Sequence, residues 1–311
     1  MKKVRIDCLQ YANWSLKVFE QIREGGLDAV HVTIAYHENF RETIQNLEKW
    51  YSLFYTYQNL IFQGFEANDI LKARQKNKTA IFFGFQNPSP IEDDIRLIEI
   101  WHKLGVRFMQ LTYNNQSLLA SGCYEANDSG LTRMGIEVID EMNRLGMIID
   151  MSHSAKISTL EAIEASKRPI CISHANPVFW HPTKRNKPDD VLRELSSSNG
   201  MIGFSLYPHH LRNGSDCTLE EFCQMIYTCA DLYGIDSIGI GTDLVQDQPD
   251  TVVKWMREGR WTKKADYGEG SAAKEQFPSM PAFYKDNRDF PALAKGLLKA
   301  GMNEEEANKV L

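Results

Sequence analysis

Two apolar segments of the chain each run directly into a Ser-His pair: Met147-Ile148-Ile149-Asp150-Met151-Ser152-His153, then Pro169-Ile170-Cys171-Ile172-Ser173-His174. The stretch between them, Lys156 to Lys167, has the periodicity of one amphipathic helix. Strand, helix, strand is the repeating unit of a parallel sheet, and here it leaves a histidine at the C-terminal end of each strand. Strand C-termini are where ligands collect in such architectures. Two imidazoles side by side at that position point to a metal site.

The same rhythm runs along the whole chain. Apolar runs fall at Val4–Leu9, Ala29–Ala35, Thr79–Phe85, Val106–Thr112, Met147–Met151, Pro169–Ile172, Met201–Leu206 and Ser237–Gly241. Helical periodicity separates them at Ser15–Glu24, Phe40–Asn59, Ile91–Leu104, Gly135–Leu145, Lys156–Ser166, Asp189–Ser197 and Thr218–Tyr233, with Pro291–Ala300 and Asn303–Leu311 after the eighth run. Glycines at 26, 105, 146, 200 and 234 sit where helices would end before the next strand. Eight such repeats predict an α/β fold, a (β/α)8 TIM barrel in a single domain over residues 1–311. A doubly wound open sheet is the competitor, but no GxGxxG follows the first run.

One segment breaks the pattern. Residues 246–289 follow the eighth run and mix Trp255, Arg257, Arg260, Trp261, Lys263 and Lys264 with Gly268-Glu269-Gly270. From that position the excursion overhangs the barrel mouth. Its alternatives are a solvated loop with one short helix, or a lid or dimer contact.

Charge and cysteine content narrow the partners. The net charge is −6 and no dense Lys/Arg run occurs, which argues against nucleic acid and against an anionic membrane surface. No apolar stretch reaches the roughly 18 residues of a membrane span. Arg5 and Asp7 interrupt any signal-peptide core after Met1-Lys2-Lys3, so a cytoplasmic protein is expected. The six cysteines form no CxxC pair and are expected to be reduced.

The residues closing each run form a polar set. They are Gln86 after the third, Tyr113 and Asn114 after the fourth, His153 after the fifth, His174 after the sixth and Asp243 after the eighth. Neutral imidazoles are good zinc ligands, and a nearby carboxylate can orient or deprotonate water on the metal. Taken singly, each has a plainer reading: a hydrogen-bonded structural histidine, a loop-capping Gln86, a helix-capping Asp243. His209 and His210 read as exposed loop residues. His31 lies within the second run and His37 just beyond it; reaching the bowl is the minor reading for each. Arg185 lies in a polar loop after the sixth run; its planar fork suits a carboxylate, and a solvated basic loop is the alternative.

Several of these stretches together resemble the membrane (renal) dipeptidase family of metallopeptidases, whose fold is a (β/α)8 barrel. The matching stretches are Gly105-Val106-Arg107, Gln110-Leu111-Thr112, Asp128-Ser129-Gly130-Leu131-Thr132 with Gly135, and Asn143-Arg144-Leu145-Gly146. Ile149-Asp150-Met151-Ser152-His153, Ser173-His174-Ala175, Arg185-Asn186 and Gly239-Ile240-Gly241-Thr242-Asp243 continue the match, in order, from residue 7 to about 243. Members bind two zinc ions and hydrolyse dipeptides, often with a D-residue on the C-terminal side. The resemblance implies that His153 and His174 hold one zinc and that Asp243 handles the catalytic water or substrate amine. It also implies that Arg185 takes the substrate carboxylate, and that the protein is a homodimer acting on a small molecule with a free carboxylate.

The departures are specific. In register with the family's His-x-Asp on the first strand, this chain has Leu9 and Tyr11. The glutamate that bridges both metals falls at Gln86, and the substrate-binding histidine of a Leu-Thr-His motif at Tyr113. The chain also ends at Leu311, where relatives usually continue. With Asp243 the one acidic match, a second dication would lack compensating charge. The expectation is therefore one zinc, on His153, His174 and Gln86, serving a hydrolase of dipeptide-like amides with Asp243 as base. Phosphotriesterase-type chemistry is disfavoured because the first run has no His-x-His. The alternative is a catalytically silent relative that binds a small molecule.

Overall fold

The computed structural model describes residues 3–260 and 276–311. Its strands are β1 (Ile6–Gln10), β2 (Ala29–Ala35), β3 (Ile61–Gln63), β4 (Thr79–Phe85), β5 (Val106–Gln110), β6 (Ile148–Asp150), β7 (Cys171–Ala175), β8 (Met201–Phe204) and β9 (Ile238–Ile240). They pair in parallel in the order β1-β2-β4-β5-β6-β7-β8-β9. The chain leaving β9 then closes the ring onto β1. The Asp243 amide donates to the Leu9 carbonyl at 3.0 Å, and the Tyr11 amide to that of Leu244 at 2.9 Å. A buried carboxylate fastens the same seam: Asp7 accepts from the Thr242 amide (2.9 Å) and hydroxyl (2.5 Å). The fold is a (β/α)8 barrel. Every residue of β2 and β4 is buried, which is why those runs are apolar on both faces apart from His31, Thr33 and Thr79 rather than alternating.

Around the barrel run α1 (Leu16–Gly25), α2 (Phe40–Thr56), α3 (Asn68–Lys76), α4 (Leu97–Lys103), α5 (Arg133–Leu145), α6 (Lys156–Ala165), α7 (Asp189–Ser197) and α8 (Leu219–Tyr233). Then come α9 (Thr251–Glu258), α10 (Phe290–Ala300) and α11 (Glu304–Val310). Polar N-caps start several of them: Ser15, Asn39, Thr132, Thr218 and Asn303 each accept from an amide of the first turn. Gly26 and Gly146 end α1 and α5 in the left-handed region, at φ 74° and 75°. At the next such position the expectation is displaced by one residue. Asn199 takes the left-handed turn (φ 57°), and Gly200 provides room, since a Cβ there would lie 2.5 Å from Leu195 Cδ1.

β3 and α3 are absent from the sequence-based prediction. Three residues cannot display a period of two, and β3 exists because the barrel offers it an edge. Its Ile61–Gln63 pair with Thr79–Ile81 of β4, while β5 pairs with β4 only from Phe83 onward. The predicted helix over 91–104 is instead a 3-10 turn at Ser89–Ile91 followed by α4. The predicted Pro169–Ile172 strand starts at Cys171 and continues through His174, which thus lies within β7.

The excursion after β9 contains the expected short helix, α9. Val253, Met256 and Arg257 of α9, together with Phe277, line the mouth of the barrel. Trp261, Lys263, Lys264 and Gly268-Glu269-Gly270 lie outside the described residues. All six cysteines are free thiols. Among the described residues no helix is long and apolar enough to cross a membrane.

Candidate active site

The C-terminal ends of the strands deliver their polar residues to one pocket. Gln86 follows β4, Tyr113 and Asn114 follow β5, His153 follows β6 and Asp243 follows β9; all line the mouth together with Arg185. Asn114 and Asp243 leave their strands in the left-handed region, at φ 62° and 55°, a conformation that costs a non-glycine residue and recurs at functional sites. His174, fully buried, meets His153 with Nε2 atoms 3.0 Å apart.

The neighbours of the two rings fix where their protons sit. His153 Nδ1 lies 2.6 Å from Asn114 Oδ1, an atom that can only accept, so Nδ1 carries the proton. His174 Nδ1 lies 2.7 Å from Ser173 Oγ, whose own proton goes to Asp150 Oδ2 at 2.5 Å. Ser173 must therefore accept from His174, and that Nδ1 is protonated as well. Asp150 is held in turn by the amides of Ser152 and Ser173 at 3.0 Å each and by the Ser152 hydroxyl at 2.6 Å. Both Nε2 atoms are left unprotonated, 3.0 Å apart. Burial, reinforced by the Arg185 guanidinium, pushes both imidazoles well below their usual range, so they are neutral at pH 7.

Such an arrangement suits one cation. Ligands about 2.0–2.1 Å from a tetrahedral zinc stand roughly 3.3 Å apart, close to the observed separation. A carboxylate orienting a ligating histidine from behind is the usual outer shell of a metal site, here relayed through Ser173. Among the described residues, no three His, Cys, Asp or Glu side chains group around a common point. A third ligand must come from elsewhere, and the carboxamide of Gln86 lines the same pocket. Its Nε2 donates to Thr33 Oγ1 (2.7 Å) and the Tyr36 hydroxyl (3.1 Å), which leaves the Oε1 end as the donor atom for an ion.

At residues 9, 11 and 86 the chain offers a second ion no carboxylate. Leu9 is completely buried, and Tyr11 packs edge-on against Tyr36 with ring centroids 4.8 Å apart. Tyr36 meets Tyr113 edge-on at 5.1 Å, and Tyr113 stacks on His153 at 4.2 Å. Three phenol rings, of Tyr11, Tyr36 and Tyr113, thus run in succession up to His153.

Arg185 and Asp243 line the mouth, and Lys187 braces the turn that carries His153. Arg185 is buried and donates to the Ser152 carbonyl, to the His174 carbonyl at 3.4 Å and to His153 Nε2 at 3.3 Å. Lys187 donates to the carbonyls of Met151 and Ser154 at 2.8 and 2.7 Å, clamping the turn that carries His153. Burial lowers Lys187 to about 7. Burial also raises Asp243 to about 7, against the opposing pull of Arg185. An acid near neutrality can exchange protons with substrate at physiological pH.

Some sequence expectations change here. His210 is buried, not exposed: Ser205 Oγ lies 2.8 Å from its Nδ1, and with His209 it lines the pocket wall. His31 does not reach the bowl. It stacks on Phe108 at 4.0 Å and faces a separate cavity at the opposite end of the barrel. His37 reaches only the flank, packing edge-on against Tyr113 and Trp255. Asp150, Ser173 and Lys187 were missed as site residues. A carboxylate inside an apolar strand, Ile148-Ile149-Asp150, was the available signal for the first of these.

The chain resembles known proteins over most of its length. A family model described as membrane dipeptidase, peptidase family M19, matches residues 1–257. Dipeptidase tcpJ from Claviceps purpurea is 28% identical over 286 residues, 87% of this chain and 64% of that protein. The chain spans 50–64% of the length of the curated relatives it matches. Among solved structures, an amidohydrolase from Pseudomonas aeruginosa is 34% identical with a TM-score of 0.93, covering 99% of this chain and 93% of that one. A metallopeptidase from Rhodobacter sphaeroides, solved with a phosphinate mimic of the dipeptide L-Ala-D-Ala, shares the fold at 15% identity and a TM-score of 0.80, covering 99% of this chain and 96% of that one.

Proposed function

The chain belongs to the membrane dipeptidase family, peptidase family M19, and on that premise we propose that it is a hydrolase cleaving the amide bond of a dipeptide or dipeptide-like molecule, assisted by one divalent ion such as zinc. The observation carrying this reading is the convergence of two neutral imidazole lone pairs, 3.0 Å apart, in the pocket that also holds Asp243 and Arg185. His153, His174 and Gln86 would hold the ion, whose chemistry when bound is Lewis acidity toward water and the scissile carbonyl.

The chain's own residues account for the rest. Arg185 takes the substrate's terminal carboxylate, for which its planar fork is suited. Asp243, near neutrality, removes a proton from the attacking water and returns it to the departing amine. Tyr113, stacked on His153, forms the wall against which the substrate side chain lies. Val253, Met256 and Arg257 of α9 cover the site and exclude water. The phosphinate dipeptide of the Rhodobacter enzyme makes L-Ala-D-Ala a reasonable first substrate.

The missing acidic ligands at Leu9, Tyr11 and Gln86 favour a second reading, a silent binder of the same molecules. Both readings meet one test. Purified protein is incubated with zinc and a panel of L,L- and L,D-dipeptides beside the His153→Ala variant. Hydrolysis lost in the variant supports the enzyme; hydrolysis that survives removes the metal from the account, and none in either protein leaves the binder.

A further inference from the structure

An imidazole nitrogen has one lone pair to offer. At His153 the proton on Nδ1 is held by Asn114, so the lone pair is on Nε2. Arg185 Nη2 lies 3.3 Å from that atom, and a guanidinium can only donate. The lone pair that an ion at His153 and His174 would need is thus already engaged. Every hydrogen bond Arg185 makes among the described residues goes to a neutral acceptor, namely two carbonyl oxygens and this nitrogen. Among the described residues no carboxylate lies at hydrogen-bonding distance from it, although it is only 3% exposed. An incoming carboxylate offers it two anionic oxygens in the geometry its fork matches, a stronger partner than any it has.

We infer that Arg185 is a carboxylate-operated antagonist of metal binding: its guanidinium occupies the His153 lone pair and repels a dication, and a carboxylate entering the mouth draws it off that nitrogen. Metal and carboxylate then help one another to bind. By thermodynamic reciprocity, each raises the affinity for the other by the same factor. The site becomes competent only when substrate arrives, which offsets the scarcity of acidic ligands. The inference rests on the reading that His153 and His174 hold an ion and that Arg185 takes a carboxylate.

The test measures zinc affinity, not turnover. Zinc is titrated into the full chain against a chromophoric chelator, with sodium propionate or an equal concentration of sodium chloride. The same titrations are run on Arg185→Gln and Arg185→Lys. In the unaltered protein, saturating propionate is expected to lower the zinc Kd at least about fivefold, the lower end of ordinary couplings between sites. Arg185→Gln is expected to bind zinc about tenfold or more tightly without propionate, and to lose the response to it. Arg185→Lys keeps the charge and is expected to stay closer to the unaltered protein. The propionate arm needs no variant, so misfolding of a substituted chain does not blunt the test. An equal propionate effect in Arg185→Gln would mean that the carboxylate simply ligates the ion, and would overturn the inference. Zinc binding unchanged or weaker in Arg185→Gln overturns it as well. Zinc binding without coupling removes this inference alone, whereas no zinc binding in any of the proteins removes the hydrolase reading with it.

Discussion

Replacing Asp150 with asparagine changes one atom of a fully buried side chain and is expected to switch a proton on His174, 24 residues away in sequence. Asp150 Oδ1 accepts from two amides and a hydroxyl, so the new amide nitrogen cannot sit there without facing three donors. It must take the Oδ2 position, 2.5 Å from Ser173 Oγ, and donate to it. The Ser173 proton then has two acceptors within reach, His174 Nδ1 at 2.7 Å and Ser152 Oγ at 3.2 Å. The shorter contact to the more basic atom wins. His174 thereby becomes the Nε2–H tautomer, and its lone pair leaves the point it shared with His153. Loss of an outer-shell partner typically lowers metal affinity about 10–100-fold, which is about 1.4–2.8 kcal/mol. The assay pairs zinc titration with nitrogen-15 NMR of the imidazoles in metal-free protein, where the tautomer is read directly. If Asp150→Asn keeps the protonated Nδ1 on His174 and binds zinc like the unaltered protein, the relay through Ser173 does not orient the ring.

Three shorter predictions follow from neighbouring residues. Asp243, raised to about 7 by burial, is a base only when ionised, so hydrolysis should climb about tenfold per pH unit below 7 and level off above it. In Asp243→Asn that limb should vanish with about 10²–10⁴-fold of the rate; an unchanged acid limb would assign the proton transfer elsewhere. Gln86→Glu should tighten zinc binding at least about tenfold, because the two partners of its Nε2 are hydroxyls able to turn and donate to a carboxylate. Affinity that stays flat would show that position 86 does not face the ion. Gly84→Ala places a Cβ 2.0 Å from His31 Nε2 and 2.9 Å from Phe108 Cβ. The expected cost is about 1–3 kcal/mol in urea unfolding, partly recovered with His31→Ala; additive effects would show that the two side chains do not compete for that space.

Much of the barrel was legible because its strands announce themselves locally. β2 and β4 are buried on both sides, and their runs matched the observed boundaries of Ala29–Ala35 and Thr79–Phe85. Helix ends could be read at Asn39 and Thr218, where a side chain and an amide three residues on satisfy one another within a single turn. β3 could not be read, because Ile61–Gln63 is a strand only by virtue of the free edge on β4. His210 was misplaced for a related reason: a histidine pair after a strand looks solvated until Ser205 and the pocket wall close around it.

For the site, sequence alone determined which residues leave the strand ends, since a parallel β/α repeat delivers them to the same face whatever their identity. The absence of anions at Leu9, Tyr11 and Gln86 was equally a property of the sequence. Only the folded chain decided the direction of the lone pairs. Proton positions on His153 and His174 depend on Asn114, Ser173 and Asp150, and the competing claim of Arg185 depends on a loop folding back over β6. Such contacts fall off within a few ångströms and, Ser173–His174 apart, join residues 23 to 39 positions apart. No local pattern encodes them; three-dimensional proximity does.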